Sequence, residues 1–387
     1  MNKVTQQVID ELTRQDDGIK LTIYMPTQRI STPPTIQEDK IRYKNLIRKG
    51  HDQWCEKGDE QQAADIFAKL EAKLTDESFW EGTTEGLAVF VDENSLQWYH
   101  LPMECEERVC VTEKFEVTPL HIVMNYDQPY YVLALALHGA RLYKGDAYEL
   151  SPLSIDFPTS PEDALNIDEM FNNSNTQRGY EGPASSGYAI STHGSGDSNR
   201  AGEAERLQYF RIIDDIIMKT KEVDVHSPIL IAAAEDEISD YKNVSKLPNL
   251  VKGSVHGNHL ATELHQLHAL TWKVIHDEIV MDRQNRLIER FNEQKGIHKA
   301  SSDLADIKEA TGLGKVDTLF ICAVDQTNDS VRESADMQAP LIRFDEKYDM
   351  NDIPSIVKAV MAQGGKIVGL EAGKFNVPSM VGAVYRF

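Results

Sequence analysis

The chain has 387 residues, 41% of them hydrophobic and 26% charged, the composition of a soluble globular protein long enough for two or three domains. Its 40 Lys+Arg against 62 Asp+Glu give a formal net charge of −22, which excludes a nonspecific nucleic-acid coat because counterion release needs a basic footprint. No apolar run approaches the ~20 residues of a membrane span, and the polar opening residues 1–14 carry no signal-peptide core, so the expected location is cytoplasmic.

The first segment opens with a helix, followed by Ile19-Lys20-Leu21-Thr22-Ile23-Tyr24-Met25, whose two-residue alternation predicts a half-buried strand ending at Pro26. Two helices are expected over residues 36–57 and 61–74. Residues 86–91 and 96–101 then read as a hairpin turning at Asp92-Glu93-Asn94-Ser95. Strands over 110–115 and near Ile122 complete an α/β domain ending at residue 127. A second unit, residues 128–295, starts with an apolar strand over 130–137 and a partner over 140–145. A buried strand over 228–234, a short helix over 235–242 and a strand over 251–255 follow a long polar stretch. Asn258 is the expected N-cap of a long helix starting at His259. The third unit, residues 296–387, predicts a helix over 301–311, a strand over 316–323, a helix capped by Asp352, and strands over 366–370 and 383–387. The fold class is therefore mixed α/β (α+β) in three domains, with a mixed, helix-covered sheet in the middle and a small α/β/α sandwich at the end.

Several clusters raise chemical questions. Lys40, Arg42, Lys44, Arg48 and Lys49 crowd one predicted helix, in which Lys40, Lys44 and Arg48 share a face. They form either a local RNA footprint or a solvated surface with Glu38 and Asp39 at the helix start. Cys105 and Cys110 form half a zinc site or two structural strand cysteines; no second ligand pair accompanies them. His256, His259, His265 and His268 admit a metal reading. They also fit a helix whose buried stripe is Leu260, Leu264, Leu267 and Leu270, with His265 and His268 on its solvated flank. No Walker loop, dinucleotide fingerprint or nucleophile elbow is present, and neither a cofactor nor a metal is expected.

Fifteen of the thirty residues 171–200 are Gly, Ser or Asn, too polar a composition to offset the entropy of ordering the chain. The stretch 154–200 therefore reads as a long exposed loop. It ends in His193-Gly194-Ser195-Gly196-Asp197-Ser198-Asn199-Arg200 and enters a helix with Leu207, Phe210, Ile213 and Ile217 on one face. A rigid stem carrying a polar finger is where function concentrates.

Read in order, Leu21-Thr22-Ile23-Tyr24-Met25-Pro26-Thr27, Gly86-Leu87-Ala88-Val89-Phe90, Tyr131-Val132-Leu133-Ala134-Leu135, Ala140-Arg141-Leu142-Tyr143-Lys144-Gly145, His193-Gly194-Ser195-Gly196, His256-Gly257-Asn258 and Gly314-Lys315-Val316-Asp317-Thr318-Leu319-Phe320 resemble the bacterial archaeo-eukaryotic release factor family. These proteins are divergent relatives of class I release factors and Pelota. The resemblance implies an N-terminal domain like the one that enters the decoding site, a ribonuclease-H-like middle domain, and a C-terminal domain like kink-turn-binding ribosomal proteins. It also implies that the loop stands where release factors carry Gly-Gly-Gln, the motif that helps water attack peptidyl-tRNA.

The departures from that pattern shape the functional expectation. Aligning His193-Gly194 with the family's His-Gly puts Gly196-Asp197-Ser198 where Gly-Gly-Gln would stand, so the Gln is absent. Glu38-Asp39-Lys40-Ile41-Arg42 stands in the helix corresponding to the stop-codon-reading Asn-Ile-Lys-Ser. The expectation is a ribosome-associated factor that binds the A site of stalled or idle ribosomes, in rescue or hibernation, without reading a stop codon. RNA contacts are assigned to Lys40, Arg42, Lys44, Arg48, Lys49 and Arg200. Ribosomal RNA, tRNA and a translational GTPase are the expected partners. The alternatives are a peptidyl-tRNA ester hydrolase using His193, Gly194, Gly196, Ser198 and Asn199, and a non-catalytic, stress-linked protein adaptor.

Overall fold

The computed structural model describes residues 2–14, 18–29, 33–57, 60–164, 197–322, 341–342, 352–371, 375 and 380–387. The chain divides into two compact units, Met1–Asp127 with Val280–Phe387, and Gln128–Ile279. The first unit thus joins both ends of the sequence, and it includes residues 280–296, which the sequence reading places in the middle segment.

In the first unit, α1 (Gln6–Arg14) precedes β1 (Lys20–Pro26). Next come α2 (Pro33–Cys55), α3 (Glu60–Ala72) and the single turn α4 (Glu77–Trp80). Strands β2 (Gly86–Val91), β3 (Leu96–Leu101), β4 (Glu104–Cys105) and β5 (Arg108–Thr112) complete the first part, with sheet order β3-β2-β1-β5. The β2–β3 hairpin closes at the expected turn, where Asp92 N donates to Ser95 O (3.0 Å) and Asp92 Oδ1 accepts from the amides of Asn94 and Ser95. Expected half-buried, β1 is instead covered on both faces from Lys20 to Met25. Leu21, Ile23 and Met25 join a core with Tyr43, Leu46 and Trp54 of α2. The opposite face satisfies its polar atoms locally: Tyr24 Oη donates to Glu116 O (2.6 Å), and Thr22 Oγ1 accepts from Glu116 N (3.2 Å). Hydrogen-bonded polar atoms make such burial affordable.

The segment around Ile122 is a helix, α5 (Thr118–Tyr126), rather than the expected strand. A short apolar run cannot be assigned by periodicity alone. Pro119 sits in its first turn, where a missing N–H costs nothing. Leu120, Ile122, Val123 and Tyr126 are all buried, because the helix lies between the first part of the unit and a second sheet formed by the C-terminal residues.

Past residue 127 the chain enters the second unit, which contributes β6 (Tyr130–Ala136), β7 (Gly139–Gly145), β8 (Leu150–Pro152), α6 (Asp197–Lys219), β9 (Ile229–Ala233), α7 (Glu235–Val244), β10 (Leu250–His256) and α8 (Leu264–Ile275). After a π-helical turn at His276–Val280 come α9 (Met281–Gly296), β11 (Ala300–Ser301), α10 (Leu304–Gly312), β12 (Val316–Cys322), β13 (Leu341–Ile342), α11 (Asp352–Ala362), β14 (Lys366–Leu370) and β15 (Val381–Tyr385). The C-terminal sheet has the order β11-β15-β12-β14. Helices α10 and α11 pack Ile307, Ile356, Val357 and Val360 on one of its faces. Phe291 of α9 packs with Phe320 and Phe375 on the other, so this part is an α/β/α sandwich.

The two parts of the first unit meet along α5 and β14 with no room between them. A Cβ on Gly369 would stand 2.3 Å from Ile122 Cα, and Asn125 Nδ2 donates to Gly369 O (2.8 Å). From α9, Arg283 Nη2 donates to Asn125 O (2.5 Å) and Asp127 O (3.2 Å). Gln284 Nε2 donates to Glu371 Oε1 (2.7 Å) and its Oε1 accepts from Glu371 N (3.2 Å).

The second unit is a five-stranded sheet of order β10-β9-β6-β7-β8. β8, β7 and β6 run antiparallel in sequence, and β9 and β10 continue from β6 in parallel. This is the ribonuclease-H-like arrangement, and β6 is buried along its whole length, as a central strand covered on both faces must be. The β6–β7 turn needs Gly139, whose φ of +143° disfavours any side chain.

Candidate functional site

The stem that carries the polar stretch is built from α6 and the segment after β8. Leu153, Ile155 and the buried Phe157 and Ala164 enter the same core as Tyr209, Phe210, Ile213 and Ile217 of α6. The segment read as loop from residue 154 is therefore structured at its start. Tyr209 Oη donates to Pro158 O (3.0 Å) and so ties the outgoing chain to the returning helix. Burial pushes the Tyr209 phenol up to about 12.

Helix α6 is fixed on its other side to α7. Asp214, 1% exposed, accepts from Tyr241 Oη (3.0 Å), Ser245 Oγ (2.5 Å) and Lys246 N (2.9 Å). One turn and more toward the N-terminus, Arg206 pairs with Asp240. A carboxylate holding three donors from the end of a neighbouring helix fixes both the axial position and the rotation of α6. Glu237, in the first turn of α7, accepts from Leu137 N (3.2 Å) and Ala234 N (3.1 Å) and links the carboxyl ends of β6 and β9.

The candidate residues divide at residue 197. His193, Gly194 and Gly196 lie outside the described residues. Ser198, Asn199 and Arg200 lie within α6 (Asp197–Lys219). Two of the three residues at the Gly-Gly-Gln place are thus helical in backbone.

The five cations of α2 are sorted by their neighbours. Arg42 is engaged by Asp39 (3.2 Å), Glu107 (3.0 Å) and Pro26 O (3.3 Å). Asp39 is 2% exposed and takes Gln28 N at 3.3 Å; burial outweighs that bond and Arg42, and holds its carboxyl above the usual range. Lys40 lies over the Trp80 ring at 5.9 Å. Lys44, Arg48 and Lys49 are exposed.

The histidine and cysteine clusters have structural occupations. No helix starts at His259: Asn258 Oδ1 accepts from Leu260 N (3.2 Å) in a turn, and α8 begins at Leu264. The buried stripe of α8 is Leu267, His268, Thr271, Trp272 and Ile275, while Leu264 and Leu270 are exposed, the reverse of the sequence reading for His268. His268 Nε2 meets Asp146 O (2.9 Å) and its ring lies parallel to Trp272. His259 bonds Thr262 Oγ1 (3.1 Å) and His256 O (3.2 Å). Among the described residues, no group of three or more His, Cys, Asp or Glu is arranged to hold a metal. Cys105 and Cys110 are buried strand residues; burial pushes both thiols up, Cys110 to about 11.

The fold and stem define a multidomain, mixed α/β protein whose ribonuclease-H-like unit holds a polar stretch ahead of a long helix. The model of bacterial archaeo-eukaryotic release factor family 3 matches residues 129–315. Over those residues the chain is similar to that family. No curated protein sequence matches it. Among solved structures it is similar to Archaeoglobus fulgidus Pelota (10% identity, 78% of this chain and 79% of that one, TM-score 0.33). It is also similar to the archaeal translation termination factor aRF1 (11%, 98% and 96%, 0.24). A third is Saccharomyces cerevisiae Dom34, a translation termination-like factor (10%, 82% and 78%, 0.35). No helix among the described residues is long and apolar enough to cross a membrane.

Proposed function

We propose that the protein is a ribosome-associated, release-factor-like factor that occupies the A site of stalled or idle ribosomes without reading a stop codon. The observation that carries this reading is the family match over residues 129–315, which includes the unit in which Tyr209, Asp214 and Arg206 fix the stem of the polar stretch. Occupancy without hydrolysis agrees with the absence of Gln. In this function Lys44, Arg48 and Lys49 of α2, with Arg200, meet ribosomal RNA, and residues 193–200 lie near the acceptor end of a tRNA or in its place. A translational GTPase as delivery partner and a cytoplasmic site of action belong to the same proposal.

Sedimentation tests it. The purified chain is expected to pellet with ribosomes from starved or stalled cells and to compete with aminoacyl-tRNA for the A site. Failure to pellet would remove the reading. Labelled peptidyl-tRNA on those ribosomes is expected to stay intact. If peptide is released, and Gly196→Ala and Ser198→Ala abolish the release, the hydrolase reading takes its place.

A further inference from the structure

The exposed face of α2 carries more chemistry than its charge count. Residues 40–51 contain five Lys or Arg and no acid in a chain of net charge −22. Successive residues turn by roughly 100° around a helix, so Lys44, Asn45, Arg48 and Lys49 flank Ile41 on one continuous face opposite the buried Tyr43, Leu46, Ile47 and Gly50. Lys40 and Arg42 fall at the margins of that face, where Trp80 and the Asp39 and Glu107 carboxylates occupy them. Lys44, Arg48 and Lys49 have no hydrogen bond or ion pair among the described residues. At the centre Ile41 is 54% exposed. Asp52 closes the face at its far end, beside His51.

Building on the ribosome-associated reading, we propose that this face binds unpaired loop RNA, with Lys44, Arg48 and Lys49 on phosphates and Ile41 and Asn45 against a splayed base. Charge complementarity selects a polyanion, and three cations without partners among the described residues supply the phosphate contacts. A paired RNA helix offers its phosphates and sugars but hides its base faces. Only an unstacked base uses both an apolar side chain and a carboxamide set between cations. Ile41 therefore gives preference for loops, while the cations give affinity. Lys40 and Arg42 are assigned to holding the helix in place instead of binding.

The test uses the full chain and two fluorescent RNAs, a short hairpin with an unpaired loop and a blunt duplex of the same stem sequence, titrated by anisotropy across a salt series. The hairpin is expected to bind the more tightly. The triple substitution Lys44→Gln, Arg48→Gln, Lys49→Gln should weaken it at least tenfold and lower the salt slope by about 2, near 0.7 for each phosphate no longer neutralised. Ile41→Ala should cut hairpin affinity about threefold and leave the duplex within twofold. Lys40→Gln should change neither by more than twofold. Unfolding midpoints of the variants separate weaker binding from a damaged fold. Equal binding of hairpin and duplex, or an unaffected triple variant, overturns the assignment, and so does a face that binds acidic protein but neither RNA. Because these titrations contain no ribosome, they read the surface even where sedimentation with ribosomes fails.

Discussion

Two seams organise this molecule, and they are made differently. Along α5 and β14 in the first unit, backbones approach until no Cβ fits at Gly369. Between α6 and α7 in the second, contact runs through side chains, with Asp214 gathering three donors and Arg206 paired to Asp240. The first seam is intolerant of added volume and the second of missing hydrogen bonds. The first binds distant stretches of sequence into one folded unit, whereas the second fixes one helix against its neighbour. A close backbone approach suits the former because it leaves no slack. A buried carboxylate suits the latter because its geometry is directional.

The sharpest way to break the first seam is Gly369→Ala. With backbone atoms 2.3 Å from the new methyl, the strand must shift, and a loss of about 3 kcal/mol or more is expected in urea unfolding. A variant as stable as the parent would show that the seam has slack. For the second seam, Asp214→Ala strands the Tyr241 and Ser245 hydroxyls and the Lys246 amide, costing about 2–3 kcal/mol; Ser245→Ala, which removes one of those donors, should cost less than half as much.

The seams should also separate by pH. His100 and His121, both in the first unit and 2% and 4% exposed, are held down to about 4, chiefly by burial. His121 Nε2 and His100 Nδ1 have no hydrogen-bond partner among the described residues. Both imidazoles are neutral when folded and take up protons when unfolded, so the stability they contribute is complete above about 6.5 and is lost as pH falls toward 4. The slope is about 1.4 kcal/mol per pH unit for each. His121→Leu should flatten the fall in urea midpoint between pH 6.5 and 5; an unchanged slope would locate the proton uptake elsewhere. The smallest effect is expected at Arg206→Ala. Its partly exposed pair with Asp240 contributes about 0.5–1 kcal/mol, and ionic strength should weaken it while leaving the Asp214 network untouched.

Much of the architecture was legible from local pattern. The hairpin at Asp92–Ser95, the apolar run of β6, and the stripe of Phe210, Ile213 and Ile217 on α6 each announce their element. The candidate site was less legible, because burial and partnering are set by residues far away in sequence. His268 is buried with its Nε2 against the distant Asp146 O, although its own helix period assigns it to a solvated flank. Lys40 matches Lys44 at four-residue spacing, yet Trp80 of α4 covers only the former.

By itself, the sequence determined the periods of most strands and helices, the polar character of residues 171–200, the missing Gln and the family resemblance, all of which are properties of neighbouring residues or of motif order. Only the tertiary structure decided that the segment at Ile122 is a helix, that residues 280–296 belong with the first unit, and that three of five cations on α2 have no partner among the described residues. The reason is common to all three. A local pattern states which surface a segment must bury or solvate, but the partner that covers it comes from another part of the chain, and only packing supplies that partner.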